Sequence, residues 1–279
     1  MHFELIAPIG IAFLCTLYIL PYWIKRAKQS GLTGKDMHKL NSPTVANLGG
    51  VPVIIGFLIA VMFYIGMETF WFKQTSKNLE MMAAISTILI TTIFAFIDDI
   101  LGWKIGIKQW QKPIIILLAA LPLAVVNSGQ SIIALPFIGL LNLGILFPIV
   151  LIPIAVTGTS NGFNMLAGYN GLEAGMGILL LTTMGFVAWL NKASWVTMMA
   201  LCMVAALIAF YIFNKHPAKV FPGNILTYSV GSLIAVVAIM GNMERIALIL
   251  FIPYFIELFL KARGKFRKES FAKLLPDSS

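Results

Sequence analysis

A chain of 279 residues that is 59% hydrophobic and 11% charged departs from soluble composition, which runs about 45–50% apolar and about 25% charged. Its mean hydropathy is +0.91, and apolar runs of about 20 residues, each long enough to cross roughly 30 Å of hydrocarbon, recur along its length. The net charge of +9 reads as the Lys/Arg excess that orients membrane proteins and meets anionic headgroups, so composition excludes a soluble globular enzyme and gives no support to a nucleic-acid partner.

The first apolar run, Leu5 to Ile24, has no basic region before it and is followed by Lys25, Arg26 and Lys28. That order predicts a retained span with its N-terminus outside, not a secretory signal. Further spans are predicted at about 49–67, 81–98, 113–127, 138–160, 172–190, 194–213, 225–241 and 244–260, nine in all. The stretch 128–145 is the least helix-like, because it contains Pro136, Gly139 and Gly144. The fold expected is all-α: a polytopic helical membrane protein in a single domain over 1–279. Of the 20 Lys and Arg, 16 fall in the segments 25–48, 99–112, 161–171, 214–224 and 261–279, and the other 4 are Lys73, Lys77, Lys192 and Arg245. This asymmetry places the first set in the cytoplasm. Cys15 and Cys202 both fall inside spans and read as apolar packing residues.

The cytoplasmic segments gather the polar residues. Residues 31–52, GLTGKDMHKLNSPTVANLGGVP, have no helical period and read as a solvated loop or as one that folds back over a site. Asp98 and Asp99 stand where the third span ends, and an ionisable group there is a functional hypothesis by default. Adjacent helical residues point about 100° apart, so one carboxylate can face a site while the other braces a helix or a base. Lys104, Lys108 and Lys112 follow in the same loop. Carboxylates able to hold Mg²⁺ beside lysines able to hold phosphate suit phosphoryl transfer, although interfacial salt bridging would need the same residues. In 156–175, Asn161, Asn164 and Asn170 offer neutral oxygens and donors among glycines that suggest irregular backbone lining a cavity. Glu173 opens the next span, where the helix dipole favours a negative charge in any case. In 213–231, Lys215, His216 and Lys219 precede an FPGN turn that presents N–H groups to an anion, with Asn224 at the start of the eighth span. Mg²⁺ and phosphate chemistry on one membrane face implies an enzyme joining a soluble phosphorylated donor to a lipid.

In the order GLTGKDMHKLNSP, FAFIDDILGW, SNGFNMLAGYNGLEAG and KVFPGN, the chain resembles the polyprenyl-phosphate N-acetylhexosamine-1-phosphate transferases. NMLAGYNGLEAG and ALPLAVV are most like the archaeal and eukaryotic branch, which favours a dolichyl-type acceptor. The resemblance implies transfer of a sugar 1-phosphate, GlcNAc-1-phosphate above all, from a UDP-sugar to a polyprenyl phosphate, with release of UMP. It also implies Mg²⁺, a cytoplasmic-face site in the lipid bilayer, usually ten spans, and leaves a homodimer open. Carried over by position, Asp98 and Asp99 match the family's aspartate pair, used for metal or acceptor-phosphate chemistry. Lys108 matches a phosphate-binding lysine, with Lys112 as the fallback. Asn164 matches a Mg²⁺ ligand and Asn170 a uracil contact, while Asn161 shares their motif. Asp36 and Asn47 are the contributors expected from the first loop, near the nucleotide. Lys219 and Arg263 complete the expected substrate contacts.

Two departures stand out. Many relatives carry a Mg²⁺-binding aspartate where this chain has Asn224, which brings an oxygen but no charge. Relatives also have a sugar-contacting loop and a tenth span, whereas here Arg263, Lys265 and Arg267 open a basic tail without a histidine-rich motif, so the sugar site is trimmed or the chain incomplete. The alternative readings are a catalytically impaired member of the family and a cation-coupled transporter. The transporter predicts carboxylates near the bilayer midplane and repeated halves.

Overall fold

In hydrocarbon every backbone N–H and C=O must find its partner inside the protein, so the long apolar runs close into helices. The computed structural model describes residues 3–264 except 38, 40, 41, 106, 109, 127–130 and 136–138; at 3–5, 103–105, 134 and 135 it describes the backbone. His38 and the tail with Lys265 and Arg267 lie outside the described residues. The chain runs through α1 (Phe3–Gln29), a hairpin of β1 (Thr33–Lys35) and β2 (Thr44–Ala46), and α2 (Gly50–Gly66), which continues as a π-helical turn, Met67–Trp71. Next come α3 (Asn78–Ile105), α4 (Gln111–Ala119), α5 (Leu121–Val125), a second hairpin of β3 (Ile132–Leu135) and β4 (Gly139–Asn142), and a π-helical turn, Phe147–Leu151. It ends with α6 (Ile152–Met165), α7 (Leu172–Leu190), α8 (Ser194–Asn214), α9 (Gly223–Met240), α10 (Glu244–Leu250) and α11 (Ile252–Arg263).

Among the described residues, six helices are long and apolar enough to cross a membrane: those of α1, α2, α3, α7, α8 and α9. The other three apolar segments are interrupted, each at a proline. Pro122 and Pro253 sit at the starts of α5 and α11, and Pro153 at the start of α6 after its π-helical turn. A proline removes one N–H and collides with the preceding turn; the segments of α5 and α11 divide there, and the third changes from π-helical to α-helical winding. The expected span at 138–160 is corrected in its first part. Residues 132–135 and 139–142 pair antiparallel, with Leu135 opposite Gly139, and Gly139 and Gly144 take positive φ angles of 90° and 51° that a helix does not use.

Helix α9 is the centre of the bundle, buried from Ile225 to Ile239. Small residues let its neighbours approach. A methyl group on Gly231 would lie 2.6 Å from both Ser160 Cα and the Thr159 carbonyl oxygen of α6. The hydroxyls of Thr92 on α3 and Ser229 on α9 are 2.6 Å apart. Close backbones and hydroxyl bonds of this kind hold helices together where lipid gives no hydrophobic drive. Outward-facing Leu14, Ile93, Leu118, Ile154 and Phe186 are exposed, as an acyl-chain environment requires. The C-terminal ends of α3, α6, α8 and α11 meet the N-terminal ends of α4, α7 and α9, together with the β1–β2 hairpin, around a cavity of about 800 Å³.

Candidate active site

The aspartate pair occupies the last turn of α3 before Gly102, whose φ of 68° and ψ of 171° end the regular helix. Beyond that turn the chain doubles back to place Ile107 and Lys112 beside Asp98. The Asp98 carboxylate is buried and fully engaged. Its Oδ1 accepts from the Ile107 N–H at 2.9 Å, and its Oδ2 accepts from Lys112 Nζ at 2.6 Å and from Asn224 Nδ2 at 2.8 Å. Asp99 turns to the other side. Its two oxygens accept the backbone N–H groups of Asn224 at 3.0 Å and Ile225 at 2.9 Å, in the first turn of α9. Both carboxylates therefore converge on Asn224, one through its side chain and one through its backbone. The buried negative charge is offset by one ammonium and by the positive end of a helix dipole.

The first-loop expectation resolves into the β1–β2 hairpin, which folds over the cavity. Its return strand runs on beside 220–223. Phe221 N–H donates to the Ala46 carbonyl at 2.8 Å, and the N–H groups of Gly49 and Gly50 donate back to Phe221 and Pro222 at 2.8 and 2.9 Å. Two glycines are needed there, since a methyl on Gly50 would lie 2.5 Å from the Leu226 nitrogen. Asp36 is fully buried beneath the hairpin and accepts from Asn170 Nδ2 and Lys39 Nζ, both at 3.1 Å, while Lys39 also donates to the Ala218 carbonyl. Asp36 thus joins three loops below the cavity wall, which Asn170 borders directly. Asn47 lines the cavity with its Oδ1 capping the Leu48 N–H at 2.8 Å.

The asparagines of α6 divide. Asn164 faces the cavity with its Oδ1 accepting from the Thr227 hydroxyl at 2.7 Å. Asn161, one turn earlier, is held between helices by the Tyr228 hydroxyl at 3.1 Å and the Thr157 carbonyl at 2.9 Å, and is not among the cavity-lining residues. The lysines divide as well. Lys112 lines the cavity, whereas Lys108, Lys219 and Arg263 are exposed and none of the three borders it. Sequence reasoning left out Lys261, which lines the cavity, donates to the Met165 carbonyl at the end of α6 and pairs with Glu257 at 3.5 Å. The i, i+4 spacing of Glu257 and Lys261 was the signal for it. Asn214 was also missed: it is buried, with Nδ2 on the Val220 carbonyl at 2.9 Å and no partner at Oδ1. Glu173 borders the cavity too, holding the Gly168 N–H at 3.1 Å through one oxygen, with the other buried and unpartnered.

Among the described residues, no three His, Cys, Asp or Glu side chains converge into a metal cluster. The hard oxygens at the cavity are mixed: the carboxylates of Asp98, Asp99 and Glu173 and amides that include Asn164 and Asn224. The arrangement as a whole offers ammonium groups, amide donors and carboxylates to a polar, phosphate-bearing molecule, in a pocket reached from one end of the bundle.

Comparison with known proteins agrees with this chemistry. Residues 81–242 match the model of glycosyl transferase family 4. A Saccharolobus solfataricus protein named as a UDP-N-acetylglucosamine–dolichyl-phosphate N-acetylglucosaminephosphotransferase is 38% identical over 278 residues, covering 99% of this chain and 82% of that one. A Dictyostelium discoideum protein of the same name is 27% identical over 87% of this chain and 67% of its own. A Streptococcus thermophilus phospho-N-acetylmuramoyl-pentapeptide-transferase is 28% identical over 92% and 78%. With the match spanning α3 to α9, the helices that carry the aspartate pair, the asparagines and the FPGN turn, the chain belongs to glycosyl transferase family 4.

Proposed function

We propose that this protein transfers GlcNAc-1-phosphate from UDP-GlcNAc to a polyprenyl phosphate of dolichyl type at the cytoplasmic face of the membrane. The observation that carries the reading is the convergence of Asp98, Lys112, Asn164 and Asn224 on one cavity at the ends of membrane-spanning helices. The names borne by the relatives supply the substrate class. In the reaction an oxygen of the lipid phosphate attacks the donor phosphorus that bears the sugar. The new anhydride bond forms as the bond to UMP breaks, and UMP leaves with the electron pair.

The residues present fit a Mg²⁺ ion, which takes oxygen ligands, one or two carboxylates among them, and completes its shell with water and substrate phosphate. Asp98, Asn164 and Asn224 would hold it. When bound it neutralises pyrophosphate charge and steadies the charge that develops on UMP. Lys112 balances Asp98 while the site waits for substrate, and its ammonium can turn to a phosphate oxygen when the anionic donor arrives. Asp98 orients the acceptor phosphate and takes its proton where one is present. Lys35 and Lys261 add further cations to the lining, and the β1–β2 hairpin covers the nucleotide side.

The test is UMP release by purified protein given UDP-GlcNAc, dolichyl phosphate and Mg²⁺. Turnover with this pair is expected, and its abolition by EDTA with recovery on adding Mg²⁺. No UMP from any pairing of UDP-sugar and polyprenyl phosphate would remove the reading.

A further inference from the structure

Helix α9 begins without a cap of its own. The residue before it is Pro222, which makes no side-chain bond to the first turn, although every helix starts with N–H groups that its own carbonyls cannot reach. Those of Asn224 and Ile225 are taken by Asp99, which comes from α3, 125 and 126 residues earlier in the chain. The turn is shaped around that carboxylate. Gly223 has a φ of 71°, and a methyl group on it would lie 2.7 Å from Asp99 Oδ2. Asn224 is thus fixed by Asp99 at its backbone while its side chain donates to Asp98.

We infer that Asp99 is a positioning residue, a helix cap supplied from another helix, which acts on the reaction only by holding Asn224 against Asp98. The two aspartates then have separate tasks. Asp98 is the one with an ammonium partner and a place beside the reacting phosphates. Asp99 borders the cavity as well, but it spends both oxygens on the backbone of α9. The consequence for the transfer rests on the proposed function; the cap itself does not.

Kinetics of UMP release and hydrogen–deuterium exchange on the same full-length preparations test it. An asparagine keeps one of the two accepting oxygens and so half of the cap, and Asp99→Asn is expected to keep kcat within about thirtyfold of the parent, while Asp98→Asn falls by about a thousandfold. Asp99→Ala should raise KM for UDP-GlcNAc and lower kcat together, and the double variant Asp99→Ala, Asn224→Ala should be no slower than the slower single one, because the two act in series. A purely structural cap would lower thermal stability and leave kcat and KM unchanged. Peptides over 221–228 should exchange at least about tenfold faster in Asp99→Ala than in the parent or in Asp98→Asn. The inference is overturned if Asp99→Asn falls as far as Asp98→Asn, if the two alanine effects multiply, or if exchange over 221–228 does not change. If Asp99→Ala fails to fold, Asp99→Asn carries both readouts. Absence of UMP release by the parent would count against the transferase reading alone, and the exchange data would still decide the cap.

Discussion

At the scale of single residues, the pairing of Asp98 with Lys112 matters most. Both are nearly buried, 8% and 12% exposed, and their 2.6 Å contact is the only described ion pair made by either aspartate of the pair. Removing one partner of a buried pair leaves an uncompensated charge and costs about 3–5 kcal/mol. Lys112→Ala is expected to reduce UMP release by about a hundredfold or more, while exposed Lys108→Ala stays within about threefold. Equal losses would show that both lysines meet the substrate. Asn224 invites the opposite experiment. Its amide donates to Asp98, so Asn224→Asp would set two anionic oxygens against each other where a hydrogen bond now stands. In EDTA the variant should melt several degrees below the parent, and Mg²⁺ should raise its melting temperature by more than it raises the parent's, because an ion that binds the folded state stabilises it by mass action. Equal responses to Mg²⁺ would separate Asn224 from the ion site.

Among elements, the contact of α6 with α9 sets how tightly the site can close. Gly231 faces Ser160 with no room for a methyl group, whereas Gly158, also within α6, has nothing within 4 Å of where one would go. Gly231→Ala should therefore cost about 1–3 kcal/mol through overpacking, and Gly158→Ala should be neutral or gain about 0.5–1 kcal/mol from lost unfolded-state freedom. Thermal melts of the two variants in one detergent check the contrast. The same contrast explains what could be read in advance. Unbroken apolar runs and their flanking charges announce α1, α2, α3, α7, α8 and α9, because length and polarity alone decide them. The spacing of Asn161 and Asn164 put them on one helix face, but which of them meets the cavity depends on Tyr228 and Thr227 from α9, about 65 residues away in sequence. Lys108 and Lys112 are the same residue type in one short segment, and only the folded path of the chain brings Lys112 to Asp98 and the cavity. Local pattern marks 128–145 as the least helix-like stretch through Pro136, Gly139 and Gly144, but it does not specify the β3–β4 pairing, which lies within an apolar stretch whose composition suits a span as well.

For the molecule as a whole, the placement of the cations predicts an orientation. Lys108 and Lys219 sit at the end of the bundle that holds the cavity; Lys77 just precedes α3 and Arg245 opens α10 just after α9, at the other ends of those helices, and all four are exposed. A nine-crossing topology with the N-terminus outside, as the charge distribution predicts, would place the cavity in the cytoplasm, where a nucleotide donor is available and where Lys and Arg accumulate. The three interrupted segments are the weak points of that topology. The α4–α5 segment, 111–125, spans only about 22 Å as a helix, less than the roughly 30 Å of hydrocarbon, so the β3–β4 hairpin must complete the far side for the crossing to hold. Single cysteines introduced after replacing Cys15 and Cys202 with alanine test this directly. Lys77→Cys and Arg245→Cys should react with a membrane-impermeant maleimide on intact cells. Lys108→Cys and Lys219→Cys should react only after permeabilisation. The pair Lys108 and Lys77 brackets α3, and Lys219 and Arg245 bracket α9. Reversal at all four positions would invert the molecule and put the cavity outside. A mismatch at Lys219 and Arg245 alone would mean that the interrupted segments between α3 and α7 do not form two crossings.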